Sequence, residues 1–446
     1  MAQAAPALIQ AQAASSEFIA AKRTGWNLPG RIGFRFVFAY LVLYNLQSFG
    51  EFIPGLGFTA TAYNAFWHKI APWVAIHVFH LSGPVTVYPA VNGSGDTTLD
   101  YIAALCYAVT ALAATLIWSL LDRKRADYRR LHFWLRLSVR YTLAFTLFGY
   151  GFAKVFPSQF IFPGFGKLVE PFGEFSPMGL LWYFMGYSKA YIIFSGMAEV
   201  TAATLLLFRR TTTLGAMASF AVLLNVVMLN FCYDVPVKLY SSHLLLMAMF
   251  LAAPDLRRLA DVLVFNRAAR PVNLGRPPER RWMRIALAGM KVIIIGYVLF
   301  FIIQRGWETY QNYVANPPKP PLYGLYEVET FTRNGKDVPP LTTDASRWRR
   351  AIIQFPQGIT LRMMDDSVRT YASKYDDKQH IVSLSPPGTN SNRDTLAYSR
   401  PDGDHVLLEG KLGGDALSVK LRKVDTSKFL LVNRGFHWIN ERPFNR

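Results

Sequence analysis

The feature that most constrains this chain is a series of long apolar windows. A helix needs about 20 apolar residues to cross a bilayer core about 30 Å thick. Windows of that kind cover residues 32–49, 99–121, 132–153, 187–208, 212–232, 237–253 and 285–304. The composition agrees, since 52% of the residues are hydrophobic and 17% are charged. We therefore predict an all-α membrane bundle of about seven transmembrane helices.

The net charge of +19 would indicate nucleic-acid binding in a soluble protein. Here the lysines and arginines flank the windows, and they gather before the first window and after the second, fourth and sixth. Because basic residues mark cytoplasmic connections, this pattern places the amino terminus in the cytoplasm and the chain after residue 304 on the opposite side of the membrane. The lipid bilayer is thus the predicted partner, and nucleic acid is not.

The pattern divides the chain into four regions. Residues 1–31 form a cytoplasmic extension, 32–304 the transmembrane domain with an outer loop at 50–98, 305–321 a Pro-rich linker, and 322–446 a periplasmic β-domain. Within the outer loop, residues 63–81 are apolar but interrupted by histidines, a lysine and a proline. This favours a helix that lies in the membrane interface.

The β-domain is predicted from alternating hydrophobicity. Short alternating runs are separated by turn signals such as Asn334-Gly335 and Gly413-Gly414. They indicate about eight antiparallel strands, and hairpin spacing throughout favours a barrel over a sandwich. The apolar tail after Leu430 is expected to dock with its aromatic side chains facing the protein, on the barrel's open end or on the outer loop.

Two ionisable residues lie inside predicted spans. Arg140 and Glu199 fall in the third and fourth windows, each near 13 Å deep on the rise per residue of a helix, so they are candidates for a buried ion pair. The pair serves either as a structural lock or as a proton or ligand site.

A polar layer near the outer face supplies further candidates. Lys154 directly follows the third window, and Lys238 and His243 lie at the start of the sixth. The three are candidate catalytic residues of an outward-opening pocket. The candidate ligand-binding residues beside them are Asn225, Asn230, Asp234 and Tyr240. Asp234 and Lys238 are four residues apart and would share one helix face. The alternative is a solvated loop with interfacial lysines.

A metal site is a weaker prediction. His77 and His80 are three residues apart, and Asp96 follows in the next loop, a combination that can bind zinc or iron. The alternative for the loop is ordinary capping, in which Asp96 or Thr97 starts the next helix. Cys106 and Cys232 are the two cysteines, too few for a Cys-rich zinc site or an iron-sulfur cluster.

The third to sixth spans resemble the DoxX family of bacterial membrane proteins. The resemblance rests on Arg140, on Gly149-Tyr150-Gly151-Phe152-Ala153-Lys154, and on Glu199 followed by Leu205-Leu206-Leu207-Phe208-Arg209-Arg210-Thr211. The outer loop and the tail from Asn433 to Arg446 resemble a long bacterial subgroup of DoxX-like proteins. The resemblance implies a four-helix core at about 132–253 and links the chain to quinone-coupled oxidation.

These observations leave two functions open. The leading one is a quinone-linked membrane oxidoreductase or its membrane subunit, with a quinone as ligand and a redox protein as partner. The other is a non-catalytic lipid-binding or assembly protein that recognises its partner through the β-domain. Whether the chain is an enzyme is left open at this stage.

Overall fold

A computed structural model describes residues 26–52, 57–81, 94–269, 280–388 and 394–445. Most of the predicted 1–31 extension, part of the 50–98 loop and Arg446 therefore lie outside the described residues. The chain divides into two compact units, which are described separately. One falls within Met1–Phe152 and Ser195–Ile303, and the other within Ala153–Phe194 and Gln304–Arg446.

The first unit is helical. Its elements are α1 (Leu28–Phe52), α2 (Gly57–His77), α3 (Thr98–Leu121), α4 (Arg129–Val155), α7 (Lys189–Leu206), α8 (Thr212–Cys232), α9 (Lys238–Ala252), α10 (Leu256–Leu263) and α11 (Arg281–Tyr310), with a 3-10 turn, Ala253–Asp255, between α9 and α10. The ends of α4, α7 and α11 reach into the second unit. A capping box of Thr97 and Asp100 starts α3, which confirms the capping expectation for Thr97.

Four of the helical segments are long and apolar enough to cross a membrane. They are Thr98–Leu121, Thr212–Cys232, Lys238–Leu263 and Arg281–Ala315. The other three predicted windows also fold into helices, α1, α4 and α7, but they fall outside this set. A helical unit with apolar helices suited to contact with lipid is thus established, and the count of seven spans stays a prediction.

Two apolar cores hold the described helices together. The larger core joins residues of α1, α4, α7, α8, α9 and α11, with Leu143 and Leu251 fully buried. The smaller core packs Trp67, Ala71 and Ala75 of α2 against Leu99 and Ile102 of α3. The segment that the sequence assigned to an interfacial helix therefore buries one face against neighbouring helices, because its small and aromatic residues recur at helical spacing.

The second unit contains a closed β-barrel. The strands are β1 (Gly324–Arg333), β2 (Lys336–Asp337), β3 (Trp348–Phe355), β4 (Gly358–Met363), β5 (Val368–Asp376), β6 (Ile381–Ser385), β7 (Asp394–Ser399), β8 (His405–Leu412) and β9 (Asp415–Lys423). Apart from the short β2, which pairs with the end of β1, consecutive strands pair antiparallel, and β9 closes the barrel on β1. The predicted eight-stranded barrel is confirmed.

The barrel interior is filled by side chains. Alternate residues of each strand point inward, as Leu417, Val419 and Leu421 do on β9, and they form one apolar core. Two of the predicted turns have the required backbone, since Asn334-Gly335 and Gly413-Gly414 all have positive φ angles. Alternation and turn chemistry are therefore sufficient to specify this domain.

Residues 153–194 belong to the second unit although they interrupt the helical one in sequence. This segment includes α5 (Phe165–Leu168) and α6 (Pro177–Tyr187). The backbone N–H of Phe165 donates to Gln354 Oε1 over 3.1 Å, and the buried Arg362 side chain donates to Glu174 over 3.4 Å. The segment is thereby held against strands β3 and β4.

Two predictions at the ends of the β-domain need correction. Helix α11 and a π-helical turn continue through Ala315, so the connection to the barrel is shorter than the predicted linker at 305–321. The tail includes α12 (Leu430–Asn433), and its Phe436, Trp438 and Ile439 are exposed by 78%, 91% and 78%. These three side chains are therefore not docked on the barrel, and their docking on the outer loop stays a prediction.

Candidate functional site

An aromatic and histidine cluster joins three helices of the first unit. We define the His243 cluster as Tyr40 and Tyr44 of α1, Tyr107 of α3 and His243 of α9. His243 is 7% exposed, and its Nδ1 lies 2.7 Å from the carbonyl oxygen of Leu239. Because a carbonyl only accepts, Nδ1 carries the hydrogen and the neutral ring presents Nε2 as an acceptor.

The Tyr40 hydroxyl is the partner of that acceptor. It lies 2.6 Å from His243 Nε2, so it donates its hydrogen there. A buried imidazole that accepts from a phenol through one nitrogen and donates to the backbone through the other is fixed in tautomer and orientation. The arrangement can hold a proton on Nε2 and exchange it with the tyrosine oxygen.

Ring contacts extend the cluster. The Tyr44 ring stacks on His243 with centroids 4.0 Å apart and planes 4° from parallel. Tyr107 meets Tyr44 edge-on at 6.4 Å, and Trp67 of α2 meets Tyr107 edge-on at 4.7 Å. The Trp67 indole N–H is buried and makes no hydrogen bond of normal geometry within the described residues, although the Tyr63 side chain lies beside it. The rings thus form an apolar surface with a phenol-imidazole pair at one end and a buried N–H donor at the other.

The start of α9 is anchored by Asp96, which fixes where His243 lies. Asp96 accepts hydrogen bonds from the backbone N–H groups of Lys238 at 2.7 Å and Leu239 at 2.8 Å. Lys238 Nζ lies 2.8 Å from Asp234 Oδ1 and 3.7 Å from Asp96 Oδ2. Asp234 and Lys238 are therefore in contact, but they do not share a helix face as predicted, because Asp234 lies in the turn before α9. Asp96 caps α9 rather than α3.

The other candidate ligand-binding residues are spread over several contacts. Asn230 is buried and donates to Ser241 Oγ over 3.0 Å, whereas Asn225 is exposed on another face of α8. The Tyr240 ring lies 6.4 Å from that of Tyr150. The structure brings Asn230, Asp234 and Tyr240 to α9 or the turn before it, and it leaves Asn225 apart from them.

Lys154 is buried, but it falls in the second unit, so its convergence with Lys238 and His243 stays a prediction. Glu199 is also buried, in α7. Arg140 donates to Thr212 Oγ1 over 3.2 Å, and its guanidinium lies 4.9 Å from the centre of the Tyr141 ring. The predicted ion pair with Glu199 is not among these contacts of Arg140.

The two residues start from different levels along the bundle, and the ion pair between them stays a prediction. Thr212 is the first residue of α8, so Arg140 lies beside the turn between α7 and α8. Glu199 precedes the end of α7 at Leu206 by seven residues, about 10 Å along the axis at 1.5 Å per residue. The sequence-based depths were equal because the helix ends were taken as level.

The metal candidates are not gathered. His77 stacks on Trp73 with centroids 5.0 Å apart, His80 is exposed after the end of α2, and Asp96 caps α9. Among the residues that the structure describes, no three His, Cys, Asp or Glu side chains are placed to hold a metal ion. Asp96 therefore has a positioning role in this structure.

Sequence reasoning missed Tyr40, Tyr44, Tyr107 and Trp67. The tyrosines of α1 are four residues apart and share a face, which is a weak signal because apolar aromatic stripes are common in membrane helices. Their meeting with His243 across some 200 residues is a tertiary event. Local periodicity carries no information about it.

Comparison with known proteins gives one informative match. No family model matches the chain, and no solved structure matches it. The chain is 36% identical over 125 residues to the uncharacterized protein YwoB of Bacillus subtilis (strain 168). The match covers 28% of this chain and 78% of YwoB. The chain therefore belongs to the protein family that includes YwoB.

Proposed function

We propose that this protein is a DoxX-like protein of the bacterial inner membrane that binds a quinone at the His243 cluster. It would act as a membrane oxidoreductase or as the membrane subunit of one, with the amino terminus in the cytoplasm and the barrel in the periplasm. The observation that carries the proposal is the Tyr40 to His243 hydrogen bond of 2.6 Å inside a wall of aromatic rings. Apolar helices give a lipid-soluble ligand access to it.

The polar groups of the cluster suit a carbonyl oxygen of a quinone. With a proton on His243 Nε2, the Tyr40 hydroxyl would accept from the imidazole and its own hydrogen would become free for that oxygen, while Trp67 Nε1 lies at the other end of the cluster. The rings of Tyr44 and Tyr107 connect these two ends, because each ring contacts the next. A quinone supplies two-electron chemistry that also takes up two protons, and the electrons would come from a partner redox protein.

The chain's own contribution in this proposal is proton handling. When His243 takes up a proton at Nε2, it would donate to the Tyr40 oxygen, and the Tyr40 hydroxyl hydrogen would then be free to hold a ligand oxygen. Leu239 O keeps the imidazole oriented through Nδ1, and Asp96 fixes the first turn of α9. Lys154 and Lys238 stay candidate residues for the oxygens of the ligand or for its entry.

The test is quinone binding by the purified full chain in detergent. We expect a bound quinone, seen as a redox difference spectrum of the solvent extract, and quenching of protein fluorescence by a short-chain ubiquinone analogue. Tyr40→Phe and His243→Gln should weaken binding of the analogue about tenfold, the equivalent of one lost hydrogen bond to a polar ligand. Tyr191→Phe, an exposed tyrosine of α7, is the matched control and should bind like the parent.

No quinone in the extract, together with equal analogue binding by the parent, Tyr40→Phe and His243→Gln, would contradict the proposal. A second function then gains support from the exposed aromatic tail, since Phe436 and Trp438 present apolar surface next to arginines. In that case the barrel recognises a protein partner and the bundle serves as its anchor. A protein partner that copurifies with the full chain, and that is lost when residues 434–446 are deleted, would support this second function.

A further inference from the structure

The turn between α7 and α8 has the features of an anion site. Helix α8 is 21 residues long, and its first N–H groups lack intrahelical acceptors, as at any helix start. No side chain caps it, because the Thr211 hydroxyl donates instead to Leu205 O over 2.6 Å. The positive end of the helix dipole therefore has no side-chain cap.

A buried arginine reaches this helix start with an unused donor. Arg140 is 6% exposed, its Nη1 donates to Thr212 Oγ1, and its Nε has no acceptor although it is buried. Thr212 Oγ1 donates onward to Phe208 O over 2.9 Å, so this hydroxyl can only accept from the guanidinium. A hydroxyl neutralises no charge, and a buried unpaired cation is costly. A bound anion would supply the counter-charge that Arg140 lacks.

Two further cations approach the same place. Lys291 of α11 places Nζ 2.6 Å from Leu207 O and 6.0 Å from the centre of the Tyr141 ring, the ring over which Arg140 also lies. Arg209 is in the turn itself, within electrostatic reach of Arg140. Within the described parts of the chain, no carboxylate forms an ion pair with Arg140, Arg209 or Lys291.

The nearby acidic group is already neutralised. Asp255 Oδ2 lies 3.0 Å from Arg136 Nη2 and accepts from Thr213, and its Oδ1 lies 2.7 Å from Arg258 Nη1. This group of charges is net positive on its own. Asp255 therefore does not supply the counter-charge for Arg140, and the turn keeps an excess of about three positive charges from Arg140, Arg209 and Lys291.

The surroundings favour a phosphate that carries acyl chains. Phe208, Leu214 and Met290 flank the turn and are exposed by 55%, 56% and 53%. We propose that Arg140, Lys291 and the start of α8 bind the phosphate of an anionic phospholipid, whose chains lie on these exposed side chains. A guanidinium and helix N–H groups bind phosphate oxygens directly.

The experiment is a lipid titration of the full chain in neutral detergent, read by native mass spectrometry. We expect phosphatidylglycerol to bind more tightly than phosphatidylcholine. Arg140→Gln and Lys291→Gln should each weaken phosphatidylglycerol binding about tenfold, as expected for one charge-assisted hydrogen bond. Arg305→Gln, which removes an exposed charge from the same helix as Lys291, should leave binding unchanged. Arg140→Lys should bind phosphatidylglycerol with an affinity between those of the parent and Arg140→Gln. It keeps the positive charge but loses the paired donors of the guanidinium.

If Arg140→Gln fails to fold, Lys291→Gln tests the proposal instead. Lys291 is only partly buried, so its replacement should be tolerated by the fold. Equal binding of the two lipids, or a loss of phosphatidylglycerol binding that is the same in Arg305→Gln, would overturn the proposal. Inorganic phosphate that displaces phosphatidylglycerol at comparable concentration would overturn the lipid assignment and leave a site for free phosphate.

Discussion

The helical unit and the barrel treat the same residue types in opposite ways. In α11 the side chains of Val292 and Ile293 are exposed by 69% and 71%, whereas the barrel buries Ile353 and Val382 completely. Both sets are branched aliphatic residues. The difference teaches that the two units are built for different surroundings, since a water-facing helix does not expose such a continuous apolar surface.

Charged residues show the reverse arrangement. In the helical unit, Arg35 is 2% exposed and its donors are taken by Tyr128 Oη, Ser119 Oγ and Asp122 O. On the barrel, Glu329 lies outside, and the Lys420 ammonium beside it holds the pKa of its carboxyl below the usual range. Charge in the bundle therefore fastens helices internally, while charge such as that of Glu329 on the barrel interacts with water and with neighbouring strands. Arg347 and Arg362 are the buried exceptions in the barrel unit.

The largest expected effect comes from opening the barrel core. Ile353→Ala should lower the free energy of unfolding of the barrel by about 2 to 5 kcal/mol, because it removes buried methyl and methylene groups and leaves a cavity. Denaturant unfolding followed by limited proteolysis of the barrel measures it. Ile293→Ala is the matched change in α11 and should alter stability in detergent by less than about 0.5 kcal/mol. Similar losses of stability in Ile353→Ala and Ile293→Ala would contradict the contrast between the two units.

A smaller effect is expected from the charges that fasten the helices. Asp255→Asn should destabilise the helical unit by about 2 kcal/mol, below the value for a fully buried pair because Arg136 and Arg258 are partly exposed and regain water. A lower midpoint of thermal denaturation in detergent measures it. Asp261→Asn, a residue of α10 without an ion pair in the described structure, serves as the control. Equal denaturation midpoints for the two variants would show that the ion pairs of Asp255 do not stabilise the packing of the helices.

The sequence predicts the barrel well and the helical sites poorly, for a physical reason. In strand β8 the buried Val406 and Leu408 alternate with more exposed residues, because one face of the strand meets the core and the other meets water. In the bundle nearly every position is apolar, so periodicity does not reveal which faces meet. The meeting of Tyr40 with His243, and of Arg140 with Thr212, therefore could not be derived from spacing.

The attachment of residues 153–194 to the barrel had no signal in the sequence either. Its contacts are single hydrogen bonds between distant positions, such as Phe165 to Gln354. Such pairs leave no local pattern. The tail shows a different failure of sequence-based prediction. Its apolar composition predicted burial, yet Trp438 is exposed. Composition indicates that a segment needs a partner and does not identify which one.

Cysteine labelling at two valines tests the central contrast most directly. Val292 of α11 and Val368 of the barrel are exposed to a similar degree, by 69% and 60%, so geometry alone predicts equal access. In intact membranes, with Cys106 and Cys232 replaced by alanine, a water-soluble maleimide should label Val368→Cys rapidly and Val292→Cys hardly at all, because thiolates do not form in lipid. Equal labelling rates in the membrane would contradict the account, since α11 would then face water as the barrel does.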